Sequence, residues 1–133
     1  MLNINIKRIY EEANSTDGTR ILVDKLWPRG ISKERASLDY WAKELAPSND
    51  LRKWYQHDHD KWSEFRKKYF EELDDHIEAL MELMPYLEKG NITFLFGSKE
   101  LQFNNAVALK EYVEQKNVRV FLDIASRVSG VVI

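Results

Sequence analysis

Leu2, Ile4 and Ile6 alternate with Asn3, Asn5 and Lys7, the two-residue period of a half-buried strand. Turn residues follow from Asn14 to Gly18, where Gly18 can take a positive φ and Asp17 can bond the backbone. Arg20 to Leu26 is rich in apolar and β-branched residues and predicts a second strand. It breaks at Trp27-Pro28-Arg29-Gly30. Ser32 then offers a cap, and the pattern predicts a helix from Ser32 to Leu45, stopped by Pro47. With Ser48 or Asn49 as cap, Leu51, Trp54 and Tyr55 mark one face of a short helix. Trp62, Phe65, Tyr69, Phe70 and Leu73 repeat at helical spacing behind Asp60 as cap. Asp75 and Glu78 resemble a capping box opening a helix whose apolar face is Ile77, Leu80, Met81, Met84 and Leu87. Gly90 stands just past its last turn.

Ile92 to Phe96 is a continuous apolar run, which predicts a strand covered on both faces. Gly97-Ser98-Lys99 and a helix from Asn104 to Glu114 complete half of a βαβ unit, with Val118 to Leu122 as its second strand. The expected architecture is a single three-layer α/β domain over residues 1–133, with a short, mostly parallel sheet and helices on both faces. The end of the chain, Val128 to Ile133, is apolar. Packing on the protein's own sheet is the expectation, with a homodimer surface as the alternative.

Composition narrows the setting. The 133 residues are 44% hydrophobic and 32% charged, which argues for a globular chain and against disorder. A net charge of −2 gives no general attraction to nucleic acid, so an anion site has to be local. The absence of cysteine removes disulfides, thiolate metal sites and cysteine nucleophiles. The alternating N-terminus is no signal peptide, and no apolar run is long enough to cross a bilayer. A cytoplasmic protein without a membrane partner is expected.

The candidate chemistry gathers at strand ends. Arg29 and Lys99 each follow a predicted strand, so both are expected to face one crevice at the carboxyl edge of the sheet. With Lys43 and Arg52 they form a basic set suited to phosphate or carboxylate; the bland alternative is that one arginine neutralises Asp24 and the rest are solvated. Asp24 shares a strand face with Leu22 and Leu26, so its charge is expected among apolar groups, bonded to Arg8, Arg29 or Arg52. Trp27 adjoins the same strand end and is the tryptophan placed to pack on a ligand, whereas Trp62 reads as core. His57 is the candidate proton carrier. The run His57-Asp58-His59-Asp60 lacks a third ligand at a metal-binding spacing and reads as a helix start, so no metal is expected. Asn104 is a ligand donor or a helix cap, and Ser98 lacks the glycine pattern of a nucleophile elbow. The runs Lys33 to Arg35 and Arg66-Lys67-Lys68 are interleaved with glutamates and read as solvated faces. With no phosphate-loop or dinucleotide glycine pattern, no cofactor is expected.

The segments DGTRILVDKLWPRGISKE, WAKELAPSNDLRKWYQHD, EFRKKYFEEL and ITFLFGSKELQFNNAVAL carry a family likeness. From about Ile6 to Tyr112 the chain resembles the YeaO-like proteins, a bacterial family built on a domain of unknown function. The likeness falls on Asp24, Trp27, Pro28, Arg29, Gly30, Trp41, Lys43, Ala46, Pro47, Ser48, Arg52, Trp54 and His57, with Lys99 and Asn104 later. His59 stands where that family commonly has proline and Phe103 where it often has histidine. The resemblance implies a compact α/β fold and no established activity.

Together these readings describe a protein that binds a small anionic molecule, phosphate- or nucleotide-like, and acts on it if it is an enzyme. Arg29, Arg52 and Lys99, with Lys43, would hold the anion, Trp27 would pack on the ligand, Asn104 would donate to it, and His57 with Asp24 would serve any catalysis. A protein-interaction module is the alternative, and a nucleic-acid binder is not expected.

Overall fold

The apolar run after Gly90 lands where such a run has to go, between two other strands. The computed structural model describes residues 2–115. In it four strands, β1 (Asn3–Arg8), β2 (Thr19–Leu22), β3 (Tyr40–Trp41) and β4 (Asn91–Phe96), lie in the order β1-β4-β2-β3 with every pair parallel. Phe94 stands level with Ile6 of β1 on one side and with Ile21 of β2 on the other. Paired at both edges and covered on both faces, β4 tolerates only apolar and small polar side chains in its interior. The expected strand Val118 to Leu122 and the apolar end Val128 to Ile133 lie outside the described residues.

Helices cover the two faces unequally, as the third layer is thin. The helices α2 (Asn49–Tyr55), α3 (Trp62–Asp74), α4 (Ile77–Leu87) and α5 (Asn105–Gln115) bury their apolar faces in one cluster with Ile21, Val23, Ile92, Phe94 and Phe96. On the opposite face Leu22 and Leu95 meet Ile9, Ile31 and Ala36, the last in the single turn α1 (Lys33–Ala36). The molecule is thus an α/β domain with an all-parallel sheet. Among the described residues no helix is long and apolar enough to cross a membrane.

Four sequence expectations fail locally, the longest of them for a tertiary reason. No long helix runs from Ser32 to Leu45; the segment forms α1, then β3, then a tight turn at Lys43–Leu45. The guanidinium of buried Arg20 takes the Ala36 carbonyl from Nη2 at 2.8 Å and the Ser37 carbonyl from Nε at 3.2 Å, while Asp39 accepts the Arg20 backbone N–H at 2.8 Å. Those bonds stop the helix and turn the chain beside β2. The second strand ends at Leu22 and not at Leu26, which is 66% exposed. Finally, α4 begins at His76 without a side-chain cap, and Asp58, not Asp60, caps the turn that leads into α3. Gly90 does end α4 in a left-handed conformation, φ +89°, with its N–H on the Leu87 carbonyl.

Candidate functional site

β2 and β4 are neighbours, yet the chain leaves them toward opposite faces: to α1 after β2 and to α5 after β4. In a parallel sheet that divergence opens a crevice at the carboxyl ends, the usual place for a ligand. A cavity of about 260 Å³ lies there. Asp24, Lys25, Arg52, His57, Ser98 and Asn105 bring polar groups to it, and Leu26, Ala46, Pro47, Tyr55 and Phe65 complete the wall.

Asp24 follows β2 and reaches across to the exit of β4. Its Oδ2 accepts the Gly97 N–H at 2.8 Å, and its Oδ1 accepts an Asn105 Nδ2 hydrogen at 3.1 Å. Asn105 also donates to the Val23 carbonyl at 3.0 Å, so one side chain at the start of α5 locks the end of β2 to it. A Cβ on Gly97 would lie 3.2 Å from Asp24 Oδ2, which explains the small residue there. Burial pushes the Asp24 carboxyl above the usual range; the Asn105 and Gly97 hydrogen bonds and the charges of Arg52 and His57 oppose that rise. The expectation of an arginine bonded to Asp24 is therefore corrected. Arg52 acts only at longer range, and Arg8 instead holds the Ser98 and Gly97 carbonyls at 2.9 and 3.2 Å.

Arg52 comes from α2, which Ser48 caps by accepting the Leu51 N–H at 3.1 Å. Its Nη2 donates to Asn49 Oδ1, while its solvent-shielded Nε has no hydrogen-bond partner among the described residues. Gln56 and His57 both take positive φ, +46° and +56°, which ends α2 and swings His57 to the rim of the cavity. Tyr55, beneath it, donates to the Phe103 carbonyl at 2.8 Å; burial holds its phenol up at about 12, so it stays protonated near neutrality. Ser98 Oγ accepts the Glu100 N–H at 2.9 Å.

Asp24, Arg52 and His57 are thus brought together, and the remaining candidates are placed elsewhere. Arg29 and Lys99 are exposed and do not line the cavity. The Arg29 carbonyl accepts the Tyr10 hydroxyl at 2.7 Å. Trp27 donates from Nε1 to the Ile31 carbonyl at 2.8 Å and meets Trp41 edge to face at 5.5 Å; it braces the WPRG turn against the thin layer. Trp41 in turn donates to the Asp24 carbonyl at 2.7 Å, and exposed Lys43 lies over the Trp41 ring. Asn104 is fully buried and spent on capping: Oδ1 accepts the Val107 N–H at 3.0 Å and Nδ2 donates to the Glu100 carbonyl at 2.8 Å. Asn105, the neighbour that sequence reasoning passed over, is the one in the site. A doubled asparagine at a helix start was the available signal, since one cap leaves the second amide free.

The two positions that depart from the family pattern touch each other. The His59 ring packs on Phe103 with centroids 4.6 Å apart, and its Nε2 pairs with Glu100. Backbone donation from Gln102, then His59, holds the Glu100 carboxyl down at about 2. Among the described residues no group of three or more histidines and carboxylates is placed to hold a metal ion.

A family model described as the inactive DUF488-N3 subclade matches residues 3–129. The chain belongs to that family. Relatives match most of the chain. The uncharacterised protein YeaO of Escherichia coli K12 is 39% identical over 112 residues, 84% of this chain and 97% of that protein. The uncharacterised proteins Rv3073c of Mycobacterium tuberculosis and Mb3100c of Mycobacterium bovis are each 35% identical over 108 residues, 81% of this chain and 91% of theirs. The YeaO-like resemblance read from the motifs is borne out by these matches. No solved structure matches the chain significantly.

Proposed function

We propose that this DUF488-N3 protein binds a small anionic molecule, phosphate- or nucleotide-like, in the cavity between the carboxyl ends of β2 and β4, and holds it without turning it over. The observation that carries this reading is Arg52: a guanidinium on the cavity wall whose side-chain partner among the described residues is Asn49, with no carboxylate bonded to it. A carboxylate or phosphate oxygen matches its remaining donors. Lys25 and His57 line the same space and favour the same charge. Binding without turnover fits the family description as an inactive subclade, and it fits a wall whose Tyr55 phenol stays protonated and whose Ser98 has no adjoining base in hydrogen-bond contact among the described residues.

A docking role for the same edge is favoured by one feature: Leu26 and Leu101, beyond the ends of β2 and β4, are 66% and 63% exposed. Nucleic acid finds less support, since Arg66 is paired with Glu111 at 2.7 Å and Lys68 lies over Trp54 beside Glu64. Calorimetry and thermal shift with phosphate, sulfate and AMP separate the readings. Wild-type protein should bind at least one of these anions and melt higher in its presence, and folded Arg52→Ala should lose both effects. Indifference of the wild type to every anion would discard the anion site and leave the exposed leucines as the better guide.

A further inference from the structure

An anion accounts for Arg52 but leaves Asp24 unexplained. Each oxygen of the Asp24 carboxylate accepts one hydrogen bond, from Gly97 N–H or from Asn105, and each keeps the capacity for another. Among the described residues no lysine, arginine or histidine bonds to it, although the Arg52 charge is felt there. A simple anion seated on Arg52 is repelled by this carboxylate. An anion that also carries an N–H or O–H meets the same carboxylate as an acceptor, so the repulsion against one class becomes attraction for the other. Leu26, Pro47 and Phe65 leave apolar wall for the rest of such a molecule.

We infer that the cavity selects small anions bearing a hydrogen-bond donor, an amine, amide or hydroxyl: the anionic head sits on Arg52 and the donor on Asp24. The inference rests on the anion site proposed above and adds its specificity. Gly97 and Asn105 are positioning residues in this scheme, because their bonds fix both carboxylate oxygens.

The test compares acids that differ only in the donor, titrated calorimetrically into the full chain. One pair is propionate and lactate; the other is ethyl phosphate and 2-hydroxyethyl phosphate. The donor-bearing member of at least one pair should bind about tenfold tighter, the worth of one well-made hydrogen bond to a charged group. The pair that shows the gap names the head group. Asp24→Asn should shrink the gap while leaving the donor-free acid bound, and Arg52→Ala should abolish binding of both. The wild-type comparison needs no variant, so misfolding of Asp24→Asn cannot rescue the idea. Equal affinities within both pairs would overturn the inference while the anion site stands, whereas failure of all four compounds and of inorganic phosphate would remove the anion site and the inference together.

Discussion

Two aspartates in this chain sit under opposite electrostatic control. Asp17 is nearly buried, and desolvation works against its charge. Its bonds outweigh that penalty: the Asn14 N–H at 3.0 Å, Lys7 Nζ at 3.2 Å and Arg20 Nη1 at 2.6 Å, which together draw its pKa below the usual range. A carboxylate whose folded pKa is depressed contributes stability that is present above about pH 4 and lost as pH falls through the folded value. Asp17→Ala should therefore cost about 3 kcal/mol or more in urea unfolding at pH 7, because it strands the Arg20 charge inside. The variant should also lose the part of the wild type's acid sensitivity that Asp17 supplies. Asp24 runs the other way. Its folded pKa is raised, so the stability linked to it is full below about pH 4 and declines as pH rises through the folded value.

Two helices, α2 and α5, are positioned by caps that reach outside themselves. Ser48 caps α2 and ties it to α3, donating its hydroxyl to Glu72 Oε2 at 2.6 Å and its N–H to Oε1 at 2.9 Å. Asn104 does the same at α5, joining the helix start to the loop after β4 through Glu100. Asn105, which secures Asp24, depends on that start being where it is. Asn104→Ala should cost about 2 kcal/mol in chemical denaturation, more than an exposed cap, since it leaves buried groups unpaired. If Asn104 instead contacts the ligand directly, the variant will lose anion affinity without losing stability, and the capping account fails. The tight turn Ser15–Asp17 is held just as firmly: Gly18 has φ +66°, and a Cβ there would lie 2.3 Å from the Asn91 carbonyl oxygen.

At the scale of the molecule, the sheet is centred on β4, and the cavity lies where its carboxyl end and that of β2 meet α2 and α3. A strand paired on both edges opens only when the domain unfolds, whereas the two-residue β3 at the sheet edge has little to hold it. Amide hydrogen exchange should therefore show Ile92 to Phe96 exchanging slowest, with protection equal to the global unfolding free energy, and the Tyr40–Trp41 amides exchanging orders of magnitude faster. Equal protection of both strands would contradict this hierarchy.

Where apolar periodicity was local and strong, sequence alone determined the structure: β1 by its alternation, β4 by its unbroken apolar run, and α2, α3 and α5 by helical spacing that any compact chain has to bury. It also pointed to the carboxyl edge of the sheet, because the FGS sequence follows β4 directly, while the WPRG break lies a few residues past the end of β2 at Leu22. Tertiary structure decided the rest. Ser32 to Leu45 has a plausible helical pattern, but buried Arg20 and Asp39, unreadable as partners from spacing, take the bonds that would continue it. Successive side chains of a helix point about 100° apart, so at the start of α5 a shift of one residue changes what a group can reach. That is why Asn105 and not Asn104 meets Asp24, and why Arg52, carried by a helix from elsewhere in the chain, lines the cavity while Arg29 faces solvent.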